Sequence, residues 1–424
     1  MLQISKIREN TEELLTRLKV KNFDGTALFK EVIELDKARR SNQQEMDSQL
    51  AEQNKIAKQV GELFKSGKQD EAKDLKEKAA ALKESSKGLE NDLREIGKKI
   101  QDILLEVPNV PCTAVPAGNT PEENIIMYRS SEELPKMDKS AKPHWELIKQ
   151  YDIIDFELGN KLTGAGFPVY KGKGARLQRA LINYFLDKAT AEGYREMQPP
   201  IVVNEDSGYG TGQLPDKEGQ MYHMEKDNLY MIPTAEVPLT NIFRDVIVKE
   251  DELPIKITAY TPCFRREAGA WGADVRGLNR LHQFDKVEIV QVNHPDNSYD
   301  TIEKMKDYVA GLLDELELPY RILKLCGGDL SFASALTYDL EVYSAAQEKW
   351  LEVSSVSNFE TFQANRMKLR YRSGSNKPEL AHTLNGSALA FPRIVAALLE
   401  NNQGPDGIKI PKALQPYTGF DMIN

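Results

Sequence analysis

The chain has 424 residues, with 56 Lys and Arg against 65 Asp and Glu, giving a formal net charge of −9. That length suits two or three domains, and a balance this acidic excludes a molecule held to nucleic acid by its whole surface, so any RNA contact must be local. The N-terminal run MLQISKIREN has no apolar core, and the most apolar late stretch, Ser387 to Leu399, is broken by Pro392 and Arg393, so neither secretion nor a membrane span is expected and the cytoplasm is the default location.

From about residue 27 to 104 the sequence is rich in Lys, Glu, Gln, Ala and Leu and has no proline, which reads as long helix. In its second half Ala72, Leu75, Ala79, Leu82, Ser86, Leu89, Leu93, Ile96, Ile100 and Ile103 alternate spacings of three and four, the a/d seam of a coiled coil. The first half repeats this through Leu28, Val32, Leu35, Arg39, Asn42, Met46, Gln49, Gln53, Ile56, Val60 and Leu63, with a polar middle. Ser66-Gly67-Lys68-Gln69 is a turn between them, so the two helices form an antiparallel hairpin reaching roughly 48 Å at about 1.5 Å per residue. Residues 1–105 are thus an N-terminal helical arm. Pro108, Pro111, Pro116 and Pro121 make 106–130 a proline-rich linker, and 131–424 a second domain.

In that last part a helix is expected over Ala175 to Glu192, and β-like runs over Ile255 to Glu267, over Leu281 to Val292 and around Glu352 to Ser355. These do not alternate as βαβ units, so the fold class is α+β with an antiparallel sheet. GFPVYKGKGA misses the phosphate-loop spacing by one and has no Ser or Thr after its lysine. Cys112, Cys263 and Cys326 form no CxxC pair and the five histidines no HExxH, so no zinc is expected. Cys263 reads as a small packing residue, and His223, His282 and His382 as structural.

The most informative stretch runs from Thr261 through PCFRREAGAWGADVRGLNRLHQFDKVE to Glu288, as strand, glycine-bearing loop and strand. Alternation puts Arg265 and Glu267 on one face of the first strand and Phe284 and Glu288 on one face of the second. Paired antiparallel, these strands offer a guanidinium for a phosphate, a ring for a base, and carboxylates for amine or hydroxyl groups. The other reading is a solvated sheet face with surface ion pairs.

This stretch resembles motif 2 of the class II aminoacyl-tRNA synthetases and, in detail, of the bacterial-type seryl-tRNA synthetases. The resemblance extends over nearly the whole chain: the helical hairpin, GARLQRAL at Gly174 to Leu181, MQPPIVV from Met197 (like motif 1), PTAEVPLT from Pro233, EVSS from Glu352, and HTLNGSALAFPR from His382 (like motif 3). Arg266 stands where serine is frequent, and Ala388 and Pro392 where the class pattern prefers glycines. The resemblance implies an antiparallel sheet of about six or seven strands in a homodimer, with the segment around Pro200 building part of the interface.

Residue by residue, the resemblance gives Arg265 the α-phosphate and the serine carboxylate, Glu267 the adenine amine, Phe284 the adenine face and Arg393 the γ-phosphate. Arg265 and Arg393 are the catalytic pair. Arg266, Val353 and Ser354 join the ATP set, and Glu352 and Ser355 hold ATP with Mg²⁺. Thr234, Ala235, Glu236, Arg265, Glu288 and Ser387 surround serine. Read without the resemblance, Thr234-Ala-Glu is a helix cap with its acid in the first turn, and Arg393 the polar side of an amphipathic helix. Trp271 is a candidate substrate cover. The implied activity is ATP-dependent formation of seryl-adenylate and transfer to tRNA(Ser), extending to tRNA(Sec). The alternative is a synthetase-like ligase loading a carrier protein. The hairpin would grip the tRNA; its lysines (Lys58, Lys65, Lys68, Lys73, Lys76, Lys78) are interleaved with acids, which by charge alone is a solvated face.

Overall fold

A computed structural model of the chain describes residues 1–131, 133–137, 140–267 and 276–424. It divides into two compact units, Met1–Lys19 with Phe23–Pro108, and Val20–Asn22 with Asn109–Asn424.

The first unit is dominated by helices α1 (Thr26–Lys65) and α2 (Gln69–Glu106), of 40 and 38 residues, packed as an antiparallel hairpin. At the tip, the Lys68 and Gly67 amides donate to the Leu63 and Phe64 carbonyls, and Gly67 takes the left-handed φ of +76° that this helix stop requires. Ile56, Ala72, Ser86 and Ile100 are buried along the seam. Its polar positions pair across the hairpin: Ser86 Oγ donates to Gln49 Oε1 at 3.1 Å and Gln53 Nε2 to the Ala79 carbonyl at 3.4 Å. Near the base, the buried residues of α1 are Phe29, Val32 and Asp36 rather than Leu28 and Leu35. Short helices Ile4–Glu9 and Thr11–Leu18 add buried Ile7 and Leu18 there, and α1 turns a neighbouring stripe toward them. Burial raises the Asp36 carboxyl, but bonds from Arg39 at 2.7 Å and Arg8 at 2.9 Å outweigh it and hold the group below the usual range.

The second unit is built on eight strands: β1 (Ile125–Arg129), β2 (Arg195–Glu196), β3 (Ile255–Phe264), β4 (Gln283–Asn293), β5 (Tyr320–Lys324), β6 (Leu336–Ser344), β7 (Lys349–Asn358) and β8 (His382–Ala390). Their order is β1-β5-β6-β7-β8-β4-β3-β2, antiparallel throughout except for the β2–β3 pair. The sheet therefore exceeds the expected six or seven strands, through short edge strands. Residues 125–129, read from sequence as part of the linker, form one of these edges; no proline occurs between 122 and 134 to prevent pairing.

Helices α3 (Gly172–Ala191), α5 (Ser298–Glu315) and α7 (Phe391–Asn401) bury Leu181, Phe185, Val309, Leu313, Ile394 and Leu398 in one core with Val287, Ile289, Leu340 and Val356 of the sheet. Two short helices, α4 (Glu236–Asn241) and α6 (Thr361–Met367), complete the surroundings of the site. Among the described residues no helix is long and apolar enough to cross a membrane.

Candidate active site

On β4, Phe284, Lys286 and Glu288 alternate onto one face, opposite Cys263, Thr261 and Ala259 of β3, and Glu288 also faces Ser387 of β8. This row borders a cleft of about 290 Å³ whose walls include Arg265, Glu267, Phe284, Glu352, Ser387 and Arg393. The charged face thus lines a concavity and is not an open sheet surface.

Arg265 lies one residue past the end of β3, where its amide donates to the His282 carbonyl at 2.9 Å and its carbonyl meets His282 Nδ1 at 3.0 Å. With its backbone held, its Nε donates to the Pro233 carbonyl at 3.3 Å and its guanidinium lies 5.3 Å from the centre of the Phe284 ring. Glu267 departs from the alternation expected of a continuing strand. It has a left-handed φ of +48°, and its carboxylate pairs with Arg280. Arg393 sits in the first turn of α7, a position the helix dipole disfavours for a cation. It donates to the Glu352 carbonyl at 2.7 Å through Nη1 and to the Asn279 carbonyl at 3.1 Å through Nε.

Below the cleft is a buried polar cluster. Thr234 Oγ1 donates to Glu288 at 2.8 Å and accepts from Lys286 Nζ at 3.0 Å, and Lys286 also pairs with Glu288. Glu236 accepts from Gln363 Nε2 at 2.6 Å, and Gln363 in turn accepts from Thr383. Burial, reinforced by the neighbouring Glu288 charge, pushes the Glu236 carboxyl up to about 7. The cluster therefore presents two carboxylates to a small volume with only one lysine between them.

Glu352 and Ser355 are three apart and would fall on opposite faces of a regular strand. The β6–β7 register pairs Glu352 with Glu341 and Ser354 with Leu340, so Val353 is an extra residue and the bulge returns Ser355 to the side of Glu352. Both line a cleft of about 500 Å³ together with Asp339. Burial raises the Asp339 carboxyl well above its ordinary range, the Glu352 charge adding to it, and Asp339 Oδ1 has no partner in the protein. This is an all-oxygen set suited to a hard divalent cation. Among the described residues no group of three or more His, Cys, Asp or Glu is arranged to hold a metal, so a cation here would need further oxygens from a bound ligand.

Comparison with known proteins matches residues 1–111 to the Seryl-tRNA synthetase N-terminal domain and residues 221–402 to the tRNA synthetase class II core domain (G, H, P, S and T). A serine–tRNA ligase of Salinibacter ruber is 50% identical, the match covering 100% of this chain and 99% of that one. The chain belongs to the seryl-tRNA synthetase family. A serine–tRNA ligase of Chlorobium luteolum is 45% identical over the same shares. The crystal structure of a seryl-tRNA synthetase from Pyrococcus horikoshii complexed with ATP superposes with a TM-score of 0.92 at 33% identity, covering 100% of this chain and 99% of that one.

Seen as a member of this family, the chain brings most of the sequence-derived site residues to one place. Arg265, Glu267, Phe284, Glu352, Val353, Ser354, Ser387 and Arg393 line the smaller cleft, and Thr234, Glu236 and Glu288 form the cluster below. Ser355 lies in the larger cleft. Ser354 turns its hydroxyl inward to the Ser387 carbonyl at 2.6 Å. Ala235 packs with Leu239, Ile257 and Val290 and serves as core. Arg266 is not in the cleft wall; its amide bonds the Gln220 carbonyl and its guanidinium lies 5.8 Å from the Tyr222 ring centre. Thr234 also accepts from the Glu236 amide at 3.2 Å, one residue ahead of Ala235, which is the N-cap of α4. Trp271 lies outside the described residues. Sequence reasoning missed Lys286, Asn279 and Arg280 in the smaller cleft, Gln363 beside Glu236 and Asp339 in the larger cleft. Lys286 had a signal, since it falls between Phe284 and Glu288 in the same alternation. Gln363 had none, because it reaches Glu236 from a helix 127 residues away in sequence.

Proposed function

We propose that this chain activates L-serine with ATP to seryl-adenylate and pyrophosphate and transfers the seryl group to tRNA(Ser). The observation that carries this is the cleft lined by Arg265, Phe284, Lys286 and Arg393, with Lys286 in turn bonded to Thr234 and Glu288 of the buried cluster. No protein nucleophile is required, because the serine carboxylate itself attacks the α-phosphorus, and what the site supplies is position and charge. Arg265 spans the two halves: its fork serves the α-phosphate and the attacking carboxylate, while Phe284 and Glu267 hold the adenine. Arg393 takes the γ-phosphate and so orients the leaving pyrophosphate. Glu236 and Glu288 receive the ammonium and hydroxyl of serine, with Thr234 and Ser387 alongside. Alanine leaves those groups unpaired, so discrimination on the order of 10⁴ is within reach of hydrogen bonding alone.

Magnesium would be held by Glu352 and Ser355, where it would neutralise phosphate charge. The hairpin is proposed as the tRNA grip, with exposed Lys58, Lys65 and Lys73 available to phosphates; Lys68 and Lys78 are paired with Glu71 and Glu52. A cytoplasmic homodimer is part of the same proposal, supported by Ile201, exposed beside Pro200, and acceptance of tRNA(Sec) follows if the long tRNA arm is what the hairpin reads. Pyrophosphate exchange with each of the twenty amino acids in turn tests the reading. Exchange with serine alone is expected; exchange with none, or equally with several, overturns it. Loading of a carrier protein in place of tRNA is the competing outcome, and the long hairpin speaks against it.

A further inference from the structure

A closed set of buried polar groups lies behind the cleft and takes no part in the roles above. His144 opens the helix His144–Gln150, Glu400 sits near the end of α7, and both are fully buried. His144 Nε2 is 2.8 Å from the amide nitrogen of Leu278. An amide N–H only donates, so Nε2 is the bare nitrogen and the ring proton is on Nδ1, which donates to Glu400 Oε1 at 2.7 Å. Glu400 also accepts from the His144 amide at 2.8 Å, from Gln347 Nε2 at 2.9 Å and from Ser344 Oγ. Gln347 then reaches forward, its Oε1 accepting from Asn279 Nδ2 at 2.9 Å.

Two bonds of this set reach the segment 277–279, one to the Leu278 amide and one to the Asn279 side chain. Gly277 approaches His144 so closely that a Cβ there would lie 2.2 Å from Nε2. Leu278 is held by the imidazole, and Asn279 by Gln347. Leu278 and Asn279 both line the cleft, and the Asn279 carbonyl is the acceptor that fixes Arg393 Nε. The segment is therefore tied to α7 twice, at its first turn through Arg393 and at its last turn through Glu400 and His144.

We infer that His144, Glu400 and Gln347 are positioning residues for the nucleotide: they fix the Asn279 carbonyl and, through it, the guanidinium of Arg393. They touch no substrate. This rests on the proposed role of Arg393 at the terminal phosphates, and it gives a signature that a merely stabilising core would not. Slack in Arg393 should weaken ATP and pyrophosphate, which share the phosphates it grips, and leave serine binding untouched.

Two substitutions at His144 separate its two bonds. Asn places a donor near the Nδ1 position and leaves the Leu278 amide without an acceptor, whereas Gln extends an acceptor toward that amide. The full chain carrying His144→Asn should show KM for ATP and for pyrophosphate raised about tenfold in serine-dependent exchange, the scale of one buried bond left unmade, with KM for serine within about twofold. His144→Gln should return both to within about threefold of the unaltered chain. Gln347 is only partly buried, so Gln347→Met tests the same chain of contacts in a protein that folds even if His144→Asn does not; a rise of about fivefold in KM for ATP is expected. Unchanged ATP and pyrophosphate KM values in the folded variants, with effects confined to melting temperature, overturn the inference. Absence of exchange in the unaltered chain would instead overturn the proposed function.

Discussion

Replacing Arg265 by alanine isolates the central electrostatic claim. In the free enzyme its guanidinium makes one hydrogen bond, 3.3 Å to the Pro233 carbonyl, and lies 5.3 Å from the Phe284 ring centre. Those tethers together contribute about 1 kcal/mol, so the variant should fold and melt close to the parent. On its proposed role, what is lost is one fixed, charged donor at the phosphorus under attack, a change of about 3 to 4 kcal/mol in the barrier. Serine-dependent pyrophosphate exchange at saturating ATP and serine should therefore fall by about a hundred- to a thousandfold. Arg265→Lys keeps the charge but not the planar fork, and should recover only part of this. Exchange within about threefold of the parent, in an alanine variant with an unchanged melt, would refute the reasoning, because no second described cation occupies the same place over Phe284.

The Glu236 carboxyl, raised to about 7 by burial and by Glu288, gives a pH dependence. An ammonium needs the ionised form, so kcat/KM for serine should drop as pH falls through about 7, and Glu236→Gln should be slow with a flat profile across that range. For stability the sign is opposite. The folded state binds this proton more tightly than the unfolded chain, so the stabilisation is complete below the ordinary 4.5 and disappears as pH rises to about 7; Glu236→Gln should gain on the parent in denaturant melts at pH 8 relative to pH 5. Lys286→Met leaves Glu288, 2% exposed in its side chain, without its cation, and should destabilise the second unit by about 3 kcal/mol in urea; an unaltered midpoint would remove the Lys286–Glu288 pair from the fold's stability. Deleting Thr26 to Leu105 should spare seryl-adenylate formation and abolish aminoacylation of tRNA, measured by exchange and by charging of labelled serine; equal loss of both would remove the hairpin from RNA recognition.

Periodicity made the hairpin legible, because a seam of ten positions at heptad spacing in α2 suits a paired helix and little else, and the turn at Gly67 marked its tip. It failed at the base, where Phe29 and Asp36 replaced Leu28 and Leu35 under helices too short to announce a stripe of their own. In the sheet, alternation was right for Phe284 and Glu288 but not for Glu267, which a left-handed backbone carries off the strand; the resemblance grouped Ser355 with Glu352, and a bulge at Val353 is what returns it to that side. Bulges and φ reversals have weak local signatures, and here both occur where a side chain must be re-aimed toward the cleft. Arg266 was placed by its neighbours in sequence, and its own contacts with Gln220 and Tyr222 could not have been read from them.

The resting contacts of the cleft's cations point to how the charge is kept available. A guanidinium neutralised by a buried carboxylate would have to break that pair before it could serve a phosphate, and the break would offset much of the new bond. Arg265 and Arg393 instead rest on carbonyl oxygens, of Pro233 at 3.3 Å and of Glu352 at 2.7 Å, and the nearer carboxylate oxygen of Glu352 stands off from Arg393 at 3.7 Å. Carbonyls fix direction without neutralising charge, and the half-exposed Glu352 carboxylate at 3.7 Å offsets that of Arg393 only in part, which is the condition for preorganised stabilisation of phosphate charge. Glu267 does the reverse: its partner Arg280 holds it as an ion pair, and on the proposed role an adenine amine would compete for the same oxygens. On the proposed roles, Arg265 should therefore contribute chiefly to the barrier, Arg393 to holding the terminal phosphates, and Glu267 chiefly to ATP selectivity. Glu267→Gln is accordingly expected to alter discrimination between ATP and GTP more than the rate at saturating ATP, whereas a loss of rate with discrimination intact would place its role in the chemical step.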